Sequence, residues 1–233
     1  MRRAHLVVAV LAMLIASAVP RAQAPAFESL ERAITADPEN LKIAADYRQF
    51  AIASGKIDRS ISFLEKLANR KGSGPNIKIS LALAYVDKVP TSGDMSRLYL
   101  GHDAVSALDK TIDQRPSVLA YYVRGVISLY YNNFLFHRIP RGLEDLRKAL
   151  GLVTSNTPPA LIARIYVSTG DGQWRLDQRQ QARGTWRAGA ARFPGHAALQ
   201  SRLNPDDMTV ENIVSGALYA GTRVDTSLRE MFP

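Results

Sequence analysis

The stretch from Tyr166 to Pro194 constrains the fold most strongly, because its large and small side chains are spaced as two packed helices require. Residues three and four apart lie on the same side of a helix. A first helix would therefore present one shared face made of Tyr166, Thr169, Gly170 and Gln173. The small Gly170 would let a second backbone come close, at the ~8–10 Å separation of packed helices.

The second half of this stretch has a matching face and a clear end. Ala182, Trp186 and Gly189 recur at helical spacing and would face the first helix. A polar turn from Leu176 to Gln181 separates the two helices. Pro194 would end the second helix, because proline has no N–H to donate and disfavours helical geometry in the residue before it.

This pattern resembles the tetratricopeptide repeat (TPR), a helix pair of about 34 residues with the signature W-x2-L-G-x2-Y, then A-x3-F, then P. Five positions carry the resemblance: Tyr166, Gly170, Ala182, Trp186 and Pro194. Thr169 and Gln173 depart from the Leu and Tyr of the signature. The resemblance implies an all-α fold, a right-handed superhelical array of antiparallel helix pairs.

Earlier segments repeat the design. The close-packing step is occupied by Arg48, a misfit by size, and then by Ala82, Gly125 and Gly170, at spacings of 34, 43 and 45 residues. The first spacing is one repeat, and the others are one repeat plus an insertion in a turn. Stacked-helix arrays tolerate such insertions. We therefore predict about four repeats with enlarged turns inside some of them.

Flanking segments complete the predicted organisation: a signal peptide over residues 1–24, the repeat domain over 25–203, and a capping helix with a tail over 204–233. A lone helix with Ala26, Leu30 and Ala33 on its inner face would precede the first full repeat. Apolar residues at helical spacing predict the amphipathic capping helix from Thr209 to Ala220. The segment after it has no period and would either pack as an ordered tail or stay loose.

The first 24 residues are typical of a secretory signal peptide. Arg2 and Arg3 form a positive start, Leu6 to Ile15 is an unbroken apolar run, and residues 22–24 supply a small-x-small cleavage pattern. We predict cleavage after Ala24; an uncleaved anchor is the alternative, although a spanning helix needs ~20 apolar residues. Cleavage removes three arginines and lowers the formal charge from +9 to +6. We expect an exported protein, periplasmic or secreted, with no stable membrane insertion and no nucleic-acid partner.

The sequence predicts neither catalysis, nor a metal site, nor a cofactor. It has no cysteine, and its composition is ordinary, with 46% apolar and 22% charged residues. Thiolate chemistry is therefore excluded. His102, His137 and His196 are isolated, with no second ligand at the spacing of a local metal motif. No nucleophile elbow or phosphate-binding loop is present, and we predict that the protein is not an enzyme.

A concave surface is the binding site that the resemblance implies, because the first helices of stacked pairs line a groove for extended peptides or helices of partners. The predicted lining consists of the residues beside the packing positions: Gln49, Ile79, Leu83, Tyr122, Val126, Tyr130, Asp171, Trp174 and Arg175. The middle of this groove is apolar. Two interpretations stay open: a site for a hydrophobic peptide or helix, or a groove filled by the chain's own insertion or tail, since a large bare apolar patch is costly.

Two insertions define a second candidate surface. Val89 to Gly101 and Asn132 to Pro140 enlarge turns of successive repeats, and such turns lie along one edge of a TPR stack. They would form either a lid or partner site, or a local mini-core. The residues predicted for this edge are Tyr99, Phe134, Phe136, His137 and Arg138.

The sequence therefore predicts a non-catalytic scaffold or adaptor in the bacterial cell envelope that binds a protein partner. The rival is a periplasmic small-ligand or solute-handling TPR protein associated with an uptake system. An adaptor should co-purify with a defined protein, whereas a solute binder should hold a small molecule in a closed cavity. The sequence predicts neither the identity of the partner nor the oligomeric state.

Overall fold

The computed structural model describes residues 23–130, 137–218 and 225–232. Within these ranges the chain forms eleven α-helices and two short 3-10 turns, Val89–Thr91 and Arg229–Met231. The helices are α1 Gln23–Ala36, α2 Leu41–Ala53, α3 Ile57–Ala68, α4 Pro75–Lys88, α5 Asp94–Gln114, α6 Val118–Tyr130, α7 Ile139–Gly151, α8 Pro159–Arg175, α9 Arg179–Arg192, α10 Ala197–Gln200 and α11 Asp207–Leu218.

Local signals in the sequence set where the helices begin and turn. The side chain of Asn40 accepts a hydrogen bond from the backbone N of Ile43 at 3.1 Å and so caps α2. Pro75 and Pro159 stand at the starts of α4 and α8, where the missing N–H would have no helical partner anyway. Gly55 turns the chain between α2 and α3 with a φ of 66°, a left-handed conformation that glycine adopts at no steric cost.

Four helix pairs stack one after another: α2 with α3, α4 with α5, α6 with α7, and α8 with α9. Consecutive pairs are joined by packing of α3 on α4, α5 on α6 and α7 on α8. The array therefore grows by one pair at a time. α1 packs on α2 ahead of the first pair. The predicted all-α array of about four repeats is confirmed.

Glycines allow the closest contacts between paired helices. A Cβ built on Gly125 of α6 would lie 3.0 Å from the carbonyl O of Gly142 in α7, and one built on Gly142 would lie 2.8 Å from that of Gly125. The two backbones therefore meet at this crossing. In the last pair the space is used differently, because a Cβ on Gly170 would lie 2.1 Å from Nε1 of Trp186. The indole of Trp186 occupies the space that we expected the backbone of the second helix to occupy.

Three apolar clusters follow one another along the array. The first joins α1 to the first pair and contains Phe27, Ile34 and Tyr47. The rings of Phe27 and Tyr47 meet edge to face with centroids 5.9 Å apart. The predicted inner face of α1 was wrong by one position, because Ala26 and Ala33 are half-buried while Phe27 and Ile34 are buried. The larger side chains turn inward because they fill the space beside α2.

The second cluster fills the middle of the array, from α4 to α8, and the third joins the last pair to α11. Val210 and Val214 of α11 are both 0% exposed and pack with Trp174 and Trp186. The predicted capping helix is therefore present, beginning at Asp207 rather than two residues later. The last two positions of its predicted span lie outside the described residues.

Several predictions fall on residues that the structure does not describe. Residues 1–22 of the predicted signal peptide, Phe134 and Phe136 are among them. The predicted cleavage point after Ala24 falls at the start of α1. Across residues 23–130, 137–218 and 225–232, no helix has the length and apolar character needed to cross a bilayer. Export and cleavage stay predictions.

Candidate functional site: the concave groove

The groove on the concave face, lined by α2, α4, α6 and α8, contains a segment of the same chain. Residues 225–232, which we call the tail, contact all four of these helices or the side chains they carry. Four contacts hold the tail: a polar latch at Thr226, an apolar contact at Leu228, an ion pair at Glu230, and packing of Met231 and Phe232 against the same apolar cluster as Leu228.

The polar latch lies between α2 and α4. Arg48 Nη1 donates to Asp87 Oδ2 at 2.9 Å, and the two side chains are 0% and 2% exposed. Arg48 Nη2 donates to the carbonyl O of Thr226 at 2.6 Å. The Thr226 hydroxyl donates to Asp87 Oδ1, and Gln49 Nε2 donates to the same hydroxyl at 3.2 Å. The groove thus binds both the main chain and the side chain of Thr226.

The latch is a site where charged groups need partners. Taking an ion out of water costs several kcal/mol, which is offset only if its remaining hydrogen-bonding capacity is also satisfied. A guanidinium has five N–H donors and a carboxylate two acceptor oxygens, so the Arg48–Asp87 pair has capacity left over. Thr226 satisfies part of this capacity, because its carbonyl O accepts from Arg48 and its hydroxyl donates to Asp87. Within the described residues, Arg48 Nε makes no hydrogen bond.

The middle of the groove is apolar, and the tail covers it. Ile79 and Leu83 of α4 are 1% and 6% exposed and share one cluster with the half-buried Tyr122 and Val126 of α6. Leu228 of the tail belongs to the same cluster. Of the two interpretations of this groove, the structure therefore shows the one in which the chain fills it. The filling segment is the tail that follows the capping helix.

Leu228 has an unusual backbone conformation. Its φ is 56° and its ψ is 26°, in the left-handed region. For an L-residue other than glycine this conformation costs roughly 1–2 kcal/mol. Such residues persist where the surrounding contacts determine the conformation. The latch before Leu228 and the ion pair after it supply those contacts.

The ion pair lies at the far end of the tail. Arg164 Nε of α8 donates to Glu230 Oε1 at 2.8 Å, and the side chains are 33% and 23% exposed. Partly exposed pairs of this kind contribute about 0–1 kcal/mol. Tyr122 lies beside them, and burial raises the pKa of its phenol while Arg164 opposes that shift. The pair therefore fixes the position of the tail more than it stabilises the fold.

The other predicted groove residues lie under the C-terminal helices α10 and α11, residues 197–218, which we call the cap. Trp174 Nε1 donates to Glu211 Oε2 at 2.8 Å, and this hydrogen bond lowers the pKa of Glu211. The Tyr130 hydroxyl donates to the carbonyl O of Ala217 at 3.1 Å. Burial lowers the pKa of the Arg175 guanidinium. The hydrogen bonds of Trp174 and Tyr130 hold the cap in place.

A second buried ion pair joins the cap to α8. Arg202 Nε and Nη2 donate to the two carboxylate oxygens of Asp171 at 2.7 and 2.9 Å. The side chains are only 6% and 8% exposed. Burial raises the pKa of Asp171, and Arg202 opposes that shift. Asp171 was predicted to face a partner, but in the structure its carboxylate binds the chain's own arginine.

The first predicted edge insertion is mostly helical. After the turn at residues 89–91, α5 begins at Asp94 and runs for 21 residues. The interpretation of residues 89–101 as an inserted loop was therefore wrong, because most of the extra residues lengthen the second helix at its N-terminus. Met95 and Tyr99 on this extension are 65% and 66% exposed.

The second predicted edge insertion lies largely outside the described residues. His137 is exposed and Arg138 is half-buried. Phe134 and Phe136 are not among the residues that the structure describes. The joint edge site stays a prediction.

A charged cavity of about 80 Å³ lies among α5, α6 and α7. Arg124 binds both oxygens of Asp145 at 2.8 and 2.7 Å and Asp109 at 2.6 Å, and so joins three helices. Pockets for small ligands are typically ~300–1,000 Å³, so the cavity is too small for a typical solute. Within the described ranges, no three His, Asp or Glu side chains are grouped to hold a metal ion.

Sequence reasoning missed the polar contacts of the tail. Arg48 was noticed only as a misfit at a packing step that prefers a small residue, and that misfit was the available signal. Asp87 likewise ends an otherwise apolar helix face. Arg164, Thr226 and Glu230 carry no pattern that sets them apart from ordinary surface residues.

Solved structures provide the comparison for this arrangement. TTC0263, a thermophilic TPR protein of Thermus thermophilus, superposes with a TM-score of 0.58 at 17% identity, covering 76% of this chain and 87% of that one. MamA superposes with a TM-score of 0.50 at 16% identity, covering 72% of this chain and 87% of that one. No family model matches the sequence, and no curated protein matches it either. At these identities the likeness concerns the fold alone, and the chain is an α-solenoid with a TPR-like fold.

Proposed function

We propose that this protein is an exported, non-catalytic adaptor of the bacterial cell envelope that binds a peptide or helix of a partner protein in its concave groove. TPR-type solenoids are generally non-enzymatic protein-interaction scaffolds. The observation that carries the proposal is the tail itself, because the groove binds an eight-residue segment through main-chain, apolar and charged contacts. A groove that binds one segment in this way has the chemistry to bind another.

Export rests on the sequence of residues 1–24, with its basic start, its short apolar run and its cleavage pattern. The absence of cysteine is compatible with either redox compartment. N-terminal sequencing of the protein from an envelope fraction tests this part. We expect the chain to begin at Pro25, whereas a chain that keeps Met1 would contradict cleavage.

The extension of α5 is a second surface on which an adaptor could bind its partner. Met95, Leu98 and Tyr99 are large apolar side chains that are 65%, 40% and 66% exposed. Clustered exposed apolar residues are typical of protein-binding surfaces. The groove remains the better-supported site, because it shows both polar and apolar recognition of a peptide.

Affinity capture of the mature protein from its own envelope extract tests the adaptor proposal. The groove variant carries Gln49→Lys and Arg164→Glu, which change two partly exposed side chains that contact the tail. The matched edge variant carries Tyr99→Glu. Circular dichroism establishes that each variant keeps its helix content.

We expect one defined protein to be captured by the wild type and by the edge variant and to be lost from the groove variant. If the protein is lost from the edge variant alone, the partner site lies on α5, and binding in the groove is contradicted. An identical set of proteins on all three would contradict the adaptor function.

A further inference from the structure

Three alternate residues of the tail make its polar, central apolar and charged contacts with the groove, and Met231 and Phe232 after them pack against the same apolar cluster. Thr226, Leu228 and Glu230 make the latch, the apolar contact and the ion pair. Between them, Ser227 is half-buried, and the side chain of Arg229 is 74% exposed. The contacts therefore define a pattern of a hydroxyl residue, an apolar residue and an acidic residue at every second position.

Each position of this pattern is chemically selective. The hydroxyl at the first position donates to Asp87 and accepts from Gln49, and only Ser or Thr can do both with so short a side chain. The second position is enclosed by the apolar cluster of α4 and α6, where a charged side chain would be desolvated without a partner. The third faces Arg164, which favours a carboxylate.

We propose that the groove binds a partner segment with this same pattern, hydroxyl, any residue, apolar, any residue, acid, and that the tail occupies the groove until such a segment displaces it. This inference rests on the proposed adaptor function and names the chemistry of its partner. The groove is a selective peptide site, and the tail is its built-in competitor.

The structure makes the tail displaceable. Arg48 and Asp87 both belong to the repeats, so their ion pair stays intact when the tail leaves. Leu228 holds a left-handed conformation that disfavours the docked tail. A tethered segment nevertheless has an effective concentration on the order of millimolar, so it competes strongly with peptides added from solution. Wild-type protein should therefore bind a free segment weakly.

The test uses the full chain and a fluorescent synthetic peptide with the sequence of residues 225–232. A release variant carries Thr226→Val and Leu228→Asp, which change the tail and leave every groove residue intact. Fluorescence anisotropy measures peptide affinity for the wild type and for the release variant. The matched control peptide carries the same two changes as the release variant.

We expect the release variant to bind the peptide at least tenfold more tightly than the wild type does. The control peptide should bind at least tenfold more weakly than the unmodified peptide. A folded release variant that binds no better than wild type, or that binds both peptides equally, would overturn the inference.

A charge exchange locates the peptide in the groove. Arg164→Glu in the release background should weaken binding severalfold, and a peptide with Arg in place of the residue equivalent to Glu230 should restore it. Arg164 is 33% exposed, so the exchange is tolerated sterically. Failure of the reversed peptide to restore binding would place the peptide elsewhere and contradict the proposal.

Two further outcomes separate this inference from the adaptor function and from self-association. Wild-type chains that form a stable dimer by sedimentation, and lose it in the release variant, would make a second copy the occupant and overturn the partner segment. Capture of an envelope protein that depends on Tyr99 would leave an adaptor function standing while the peptide site fails. If the peptide binds but no envelope protein is captured, the peptide site stands and the adaptor function fails.

Discussion

The two halves of the concave face are closed in different ways. The cap covers the C-terminal half with buried side chains of its own, because Val210 and Val214 pack against Trp174 and Trp186. The tail covers the other half with one buried leucine, two partly buried apolar side chains, one latch and one partly exposed ion pair. The cap resembles a part of the core, and the tail resembles a bound ligand.

The buried Arg–Asp pairs show the difference most clearly. At the cap, Asp171 belongs to the repeats and Arg202 to the cap, so opening the cap would separate two buried charges. At the tail, Arg48 and Asp87 both belong to the repeats, and they stay together when the tail leaves. Removing one partner of a buried pair is strongly destabilising, because the other charge is left buried alone; the cap therefore depends on Arg202, whereas the tail can leave without breaking a buried pair. We therefore expect the cap to stay closed in the folded protein and the tail to open reversibly.

The largest effect should come from breaking the cap pair. Arg202→Ala leaves the Asp171 carboxylate buried without its partner, and we expect the free energy of unfolding to fall by about 3–5 kcal/mol. Urea denaturation measures this free energy of unfolding. The exposed Arg187 is the matched control, and Arg187→Ala should have little effect. A loss at Arg202 no larger than that at Arg187 would show that the cap is not part of the core.

A smaller loss should follow from filling the space beside Trp186. Gly170→Ala would place a Cβ 2.1 Å from the indole Nε1, and overpacking of this kind costs about 1–3 kcal/mol. Gly184→Ala on α9 is the matched control, because a Cβ there meets nothing within 4 Å. It should stabilise the fold by about 0.5–1 kcal/mol, as alanine favours helix. Equal effects of the two substitutions on the free energy of unfolding would contradict the close packing of Trp186 on Gly170.

The tail should respond to mutation with little change in overall stability. Thr226→Val removes the hydroxyl contacts but keeps the backbone contact to Arg48, and we expect a loss of only about 1 kcal/mol. Limited proteolysis should nevertheless cut the tail severalfold faster. Ser227→Ala is the control and should leave both quantities nearly unchanged. A stability loss as large as that of Arg202→Ala would make the tail part of the core.

The smallest effect concerns pH. Burial lowers the pKa of His196 below its ordinary value of 6.5, and Arg164 adds to the shift; Nδ1 of His196 is buried without a hydrogen-bond partner in the described residues. The folded state therefore favours neutral His196. Its contribution is complete above pH 6.5 and decreases as the pH falls from 6.5 towards the folded pKa.

Denaturation at pH 7.5 and 5.5 measures the pH effect. His196→Gln should reduce the difference between the two values, and His102→Gln, at an exposed position, should not. An unchanged difference in the His196 variant would contradict the assignment.

The sequence predicted the repeats because their packing is local. The periodic faces of α8 and α9, the small residues at Gly125 and Gly170, and the stop at Pro194 each act within one helix pair. The apolar residues Ile79 and Leu83 were likewise placed correctly in the middle of the groove. Such patterns can be recognised in a sequence because helical geometry repeats every few residues.

The sequence left a groove filled by the tail as an open alternative, but the contacts of the tail could not be predicted because they are distant in the chain. Arg48 and Thr226 are 178 residues apart, and residues 225–232 have no period to show which face is buried. A misfit such as Arg48 marks a place where the repeat pattern is broken for another reason. The misfit does not show which segment of the chain contacts that residue.

A distance measurement shows whether the tail lies in the groove in solution. The chain lacks cysteine, so cysteines introduced at the exposed Asp46 and Arg229 would carry the only two spin labels. We predict one narrow distance distribution that matches the docked tail in the wild-type background and a broad one after Leu228→Asp. A broad distribution in both would show that the tail does not dock in the groove.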